Sequence, residues 1–129
     1  MRMDLTSLFA VGIGAFLGAA LRWMLGILLN PLFPTMPLGT LSANLLGGLL
    51  MGMAMALFLQ FDTLPPVARL FFTTGFLGGL TTFSTFSAET VTLLLRQQYA
   101  WTLAIVSAHL FGSLLMTIAG YGIVRAVLR

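Results

Sequence analysis

The sequence has no cysteine and no lysine, one histidine, and only three acidic residues, Asp4, Asp62 and Glu89. Without thiols there are no disulfides, no redox pair and no thiolate metal site. A single imidazole, His109, cannot build a histidine cluster, so metal catalysis has no obvious ligand set. Charged residues make up only 7% of the 129 residues, while 59% are hydrophobic. A mean hydropathy of +1.05 completes a composition that a water-soluble domain could not keep in solution. The sequence therefore describes an all-α integral membrane protein.

Roughly 20 apolar residues cross the hydrocarbon core as a helix. Counting such runs between polar or proline punctuation predicts four spans: Leu5 to Leu29, Leu38 to Leu59, Val67 to Leu95, and Ala100 to Val127. The connectors "NPLFPTMP" and "FDTLPP" are short and proline-rich, which stops one helix and starts the next. They leave no room for a soluble domain, so one four-helix unit over residues 1–129 is expected. The N-terminal run has some features of a secretory signal, but its apolar stretch continues past Arg22 to Leu29, too long for a signal core.

All six basic residues are arginines. With four spans, Arg2, Arg69, Arg125 and Arg129 fall on one side, and Arg96, with Arg22 nearby, toward the other. This is a weak positive-inside bias, which leaves both orientations open.

Small residues recur four apart at Gly14 and Gly18, Gly48 and Gly52, and Gly75 and Gly79. The first two pairs are expected to let helices approach closely. The third lies within "GFLGGLTT" (Gly75 to Thr82), midway along its span, where an unwound stretch is expected. Irregular backbone at membrane depth is tolerated where protein buries it or where it lines a cavity or an ion site. Beyond it, "TTFSTFSAET" on a helical wheel puts Phe83, Phe86, Ser87 and Thr90 on one face and Thr82, Thr85 and Glu89 on the next. Hydroxyls in membrane helices also bond back to the carbonyl four residues earlier, but this run holds more of them than that habit accounts for. His109, Ser113 and Thr117 stack along one side of the fourth span. Asn44 lies too deep in its span to reach water, whereas Arg22 is close enough to its span's end to snorkel to the headgroups.

This inventory of hydroxyls, one amide, one arginine and aromatic rings, with Glu89 the only carboxylate well inside a span, favours an anion. Cation paths use acidic rings or bare carbonyls, and proton-coupled exporters need a titratable carboxylate. Hydroxyls and amides donate hydrogen bonds, and the electropositive edge of a phenyl ring can also face an anion. The residues by themselves lead to a small anion. Two other classes remain: a proton-coupled drug or cation antiporter of the small multidrug-resistance type, with Glu89 as its only coupling group, and a membrane subunit without transport of its own.

"GGLTTFSTFSAE" (Gly78 to Glu89), "NLLGG" (Asn44 to Gly48), "LRW" (Leu21 to Trp23) and "HLFGSLLMT" (His109 to Thr117) occur in the order and setting of one family. In these motifs the chain resembles the Fluc/CrcB fluoride channels. The resemblance implies a passive, fluoride-selective channel that exports cytoplasmic fluoride through the bacterial inner membrane. It also implies an antiparallel, dual-topology homodimer with two pores and a break in the third helix. By the same resemblance, Phe83 and Phe86 offer ring edges to fluoride, Asn44 is the nearby amide, and Ser84 and Thr85 are the hydroxyls between the rings. Ser113 and Thr117 form a polar track, and Arg22 belongs to the pore vestibule. A structural Na⁺ at the dimer centre is implied on the carbonyls of Gly78 and Thr81, with no organic cofactor. Glu89 matches an acidic position of the family, and His109 stands on the track face where a hydroxyl is expected.

Overall fold

The computed structural model describes residues 2–129. Helices are the only regular elements among them. Helix α1 spans Leu5–Leu29 and begins at Asp4, whose carboxylate accepts a hydrogen bond from Ser7 N at 2.8 Å. This satisfies one of the free amides of the first turn, and it holds the exposed carboxyl below its ordinary pKa. A 3₁₀ turn at Asn30–Leu32, containing Pro31, ends the helix. Helix α2 (Leu38–Gln60) follows Pro37. Its free N-terminal amides find a partner from outside the helix: Asn30 Oδ1 accepts from Gly39 N at 2.7 Å and Thr40 N at 3.2 Å.

The next stretch is the irregular one. Helix α3 (Pro66–Leu70) runs into a π-helical segment, Phe71–Leu77, and then into α4 (Gly78–Leu80). Helix α5 (Phe83–Leu95) starts after two extended residues, and α6 (Tyr99–Val127) closes the chain. The turn between α5 and α6 has Gln97 in the left-handed region at φ 58°, with Gln98 N bonded to Leu93 O at 3.0 Å. This is a Schellman closure with glutamine in the position that glycine usually takes.

Helices α1, α2 and α6 agree with the expected boundaries to within one residue at each end, and with the 3₁₀ turn after α1 included they give three candidate spans. Leu5–Leu32, Leu38–Gln60 and Tyr99–Val127 are long and apolar enough to cross a membrane. The expected unwinding needs a correction. Gly75, Gly78 and Gly79 are all helical, and the interruption is confined to Thr81 (φ −86°, ψ 152°) and Thr82 (φ −146°, ψ 116°). Two of those glycines serve close packing. A Cβ on Gly79 would overlap the Ala15 carbonyl, and one on Gly75 would lie 2.9 Å from the Val11 carbonyl. Gly14 and Gly18 of α1 face the same segment, so this seam is glycine-lined on both sides. The α2–α6 seam is built the same way, since a Cβ on Gly52 would overlap the Thr117 carbonyl and one on Gly120 that of Leu49.

The packed core is small: Ala43, Leu77 and Leu80, with Leu21, Leu25, Leu46 and Leu50 around them. Phe9, Phe16, Trp23, Leu115 and Ile118 are exposed, whereas Thr40, Thr82 and His109 are buried. Polar groups inside and large apolar groups outside are the arrangement expected when lipid is the solvent.

Candidate functional site

The site begins at the break. Thr82 caps α5: its Oγ1 accepts from Thr85 N at 3.0 Å, and Ser84 Oγ lies 3.3 Å from the same oxygen. The backbone of Thr82 has lost its helical partners and is bonded instead to a side chain of α2. Asn44 Oδ1 accepts from Thr82 N at 2.8 Å, and Asn44 Nδ2 donates to Thr82 O at 3.0 Å. One amide side chain thus stands in for a missing turn of helix. The second hydrogen of Nδ2 points at His109 Nδ1, 3.0 Å away on α6. Both hydrogens of Asn44 Nδ2 therefore face partners within the chain.

The break takes the helical donors from the carbonyls of Gly78 to Thr81, of which Gly79 O accepts from Arg22 Nε instead. In a continuous helix Gly78 O would accept from Thr82 N and Thr81 O from Thr85 N, but both amides bond to side chains instead. Gly78 and Thr81 both line an open cleft of about 490 Å³. Carbonyl oxygens without a backbone donor are the ligands a hard monovalent cation accepts, so these two residues fit a sodium site. Among the described residues no group of three or more His, Asp or Glu side chains offers a conventional metal site.

Asn44, Phe83, Phe86, His109, Ser113 and Thr117 line the same cleft, so it gathers residues from α2, the break, α5 and α6. Phe83 is 80% exposed. The Phe83 and Phe86 rings meet edge to face at 5.6 Å, and Phe86 lies 4.6 Å from the His109 ring. Their position at the N-terminal end of α5 adds the partial positive charge of that helix end to the electropositive ring edges. Thr117 Oγ1 lies 3.0 Å from both Gly48 O and Ser113 O, so its single proton is held by backbone.

The other expected residues fall elsewhere. Arg22, Thr85, Thr40 and Thr82 line a second cavity of about 280 Å³. Arg22 donates from Nε to Gly79 O at 3.0 Å, so its guanidinium is anchored to the segment before the break as well as lying near the helix end. Glu89 lines neither cavity; its Oε2 accepts from Thr40 Oγ1 at 2.6 Å, and its buried Oε1 has no partner among the described residues. Ser84 is exposed beside the Thr82 cap. On α5, Thr90 and Thr92 bond back to Phe86 O and Ala88 O, so for these two hydroxyls the ordinary helical habit holds.

Two residues with structural roles escaped the sequence reading. Thr82 is a helix cap as well as a lining residue of both cavities, and a threonine three residues before the amide it caps, Thr85 N, is the usual signal for such a cap. Asn30 closes α2 from across a proline-rich loop, a pairing that spacing along the chain does not reveal.

The family model described as "CrcB-like protein, Camphor Resistance (CrcB)" matches residues 9–121, which include every residue of the cleft. A protein of Nitrosospira multiformis named fluoride-specific ion channel FluC is 68% identical over 118 residues, 92% of each chain. The proteins of the same name from Aromatoleum aromaticum and Chromobacterium violaceum are each 56% identical, over 92% and 88% of this chain and 90% of their own lengths. Matched in this way across most of its length, the chain belongs to the CrcB-like protein family.

Proposed function

We propose that this protein is a passive, fluoride-selective channel that lets cytoplasmic fluoride leave a bacterial cell across the inner membrane. The observation that carries the reading is the 68% identity, over 92% of the chain, to a relative named as a fluoride-specific channel. The cleft supports it with chemistry suited to a small, hard anion: two ring edges, a helix N-terminus and a polar flank, with no carboxylate lining it.

A single protomer leaves this cleft open and the Phe83 ring outside, so the working unit is read as a homodimer whose second copy closes the cleft. The weak arginine bias allows the two copies to insert in opposite orientations, giving an antiparallel dimer with two pores. In this reading Pro66 to Leu95 crosses the bilayer as a fourth, broken span, and residues 1–129 form one channel unit. Carbonyls of Gly78 and Thr81 from both copies hold one Na⁺ on the dimer axis. Phe83, Phe86, Ser84, Thr85, Asn44, Ser113 and Thr117 belong to the fluoride path, and Arg22 to its vestibule.

The antiporter alternative depends on Glu89, and nothing in its placement beside Thr40 favours that role. The test is efflux from liposomes loaded with fluoride or with chloride, read by an ion-selective electrode with potassium and valinomycin holding the voltage. Fast fluoride release without proton coupling is expected; equal chloride release would overturn the selectivity, and no release of either would overturn the channel.

A further inference from the structure

The sequence leaves His109 without a role, and hydroxyls were expected on its face of α6. The hydrogen bonds around it define one. A backbone amide can only donate and a carbonyl can only accept, so Thr82 admits a single orientation of the Asn44 side chain: Oδ1 on Thr82 N and Nδ2 on Thr82 O. With Nδ2 fixed as a donor, the nitrogen it meets on His109, Nδ1, must be the acceptor. The proton of the neutral ring then sits on Nε2. That atom is buried, belongs to a side chain only 4% exposed, and has no partner among the described residues. The ring is packed against Phe86 at 4.6 Å and lines the cleft.

We propose that His109 is a positioning residue of the conduction path: as the Nε2–H tautomer it locks the Asn44 amide onto Thr82 and so fixes the direction in which α5 carries Phe83 and Phe86 away from the break. The three residues come from α6, α2 and the break, so they tie together the elements that form the cleft. A ring that donated from Nδ1 would oppose Nδ2 with a second donor. Asn44 could then satisfy His109 only by turning over, which would set its oxygen against Thr82 O and its nitrogen against Thr82 N.

The effect on conduction rests on the fluoride-channel reading, whereas the tautomer does not, so two measurements separate them. The chain has one histidine, so full-length protein labelled with ¹⁵N-histidine, its purification tag removed, gives a single imidazole by NMR. The expected spectrum has a bare Nδ1 and a protonated Nε2 in the wild type, with mixed tautomers in Asn44→Ala. A wild-type ring protonated at Nδ1 overturns the proposal. For flux, His109→Asn retains an acceptor near the Nδ1 position but loses the ring, and His109→Phe retains the ring but loses the acceptor. Fluoride efflux is expected to fall by roughly tenfold or more in the Phe variant and by clearly less in the Asn variant. Wild-type flux in a folded His109→Phe, or equal loss in both folded variants, overturns it. If neither variant folds, the wild-type spectrum decides. A wild type without fluoride flux would fail the channel reading, and the tautomer would still be decided by NMR.

Discussion

At the scale of single residues, two aromatic side chains and one amide dominate the cleft, and they do different work. The Phe83 ring is mostly outside the protomer, so its replacement removes little of the protomer's own packing. Phe83→Ile keeps apolar bulk and deletes the polar ring edge; Phe86→Ile does the same against His109. Each is expected to lower fluoride efflux from liposomes by roughly tenfold or more while the proposed dimer survives on gel filtration. Unchanged efflux in both would reduce the rings to packing groups. Asn44 is the opposite case, because its amide satisfies both backbone groups of Thr82. Asn44→Ala leaves the buried Thr82 amide and carbonyl unpaired, an expected cost of about 1–3 kcal/mol for each group. A lowered melting temperature in detergent, accompanied by lost conduction, is the outcome to look for. Both rings and the amide could be picked out in the sequence, since each is conspicuous among apolar neighbours. That the amide is spent on the backbone could not, because Thr82 is 38 residues away and meets it only after α2 and the broken segment have packed.

At the scale of elements, glycine does two separate jobs that the sequence makes look alike. In the α1 and α2 seams glycines recur four apart and let carbonyls of the facing helix approach. The same spacing at Gly75 and Gly79 first reads as a weak point where a helix unwinds. In the folded chain those glycines are helical and pack on α1, while the break falls on the two threonines that follow. Local conformational freedom is permissive, but the break forms where partners exist for the freed backbone, and Asn44 and the Thr82 cap provide them. Gly52→Ala drives a methyl group into the Thr117 carbonyl and is expected to cost about 1–3 kcal/mol, read as a drop in thermal stability. Gln97→Gly is expected to act in the other direction. It relieves a left-handed residue at the end of α5 while keeping the backbone bonds of the turn, and should raise stability by about 1 kcal/mol in the same assay.

At the scale of the whole molecule, the protomer is open where its chemistry is concentrated. Gly78, Thr81 and the exposed Phe83 all line the cleft, which is the surface a second copy would cover in the proposed dimer. Purification without Na⁺ is therefore expected to weaken the dimer or its conduction, because the carbonyls would be buried without a partner. Gel filtration and efflux in lithium or choline buffers, with Na⁺ restored as control, measure this; indifference to Na⁺ would remove the ion from the assembly. The absence of cysteine makes topology directly testable. A single cysteine replacing Asp62, in the loop before α3, is expected to react with an impermeant reagent from both faces of intact membranes to comparable extents. Labelling from one face alone would exclude opposite orientations.

Composition and apolar run length determined the solvent, the helical class, and the ends of the three unbroken spans, because a bilayer imposes a fixed thickness and tolerates few charges. The aromatic and hydroxyl run from Phe83 was legible for a related reason, since polar groups at that depth are costly and so stand out. Two things were decided only by the tertiary structure: where the chain before Phe83 leaves the helix, and which side chain takes over the freed backbone of Thr82. Each depends on a hydrogen bond between residues far apart in the chain, and such a bond forms only after packing has brought the two helices together.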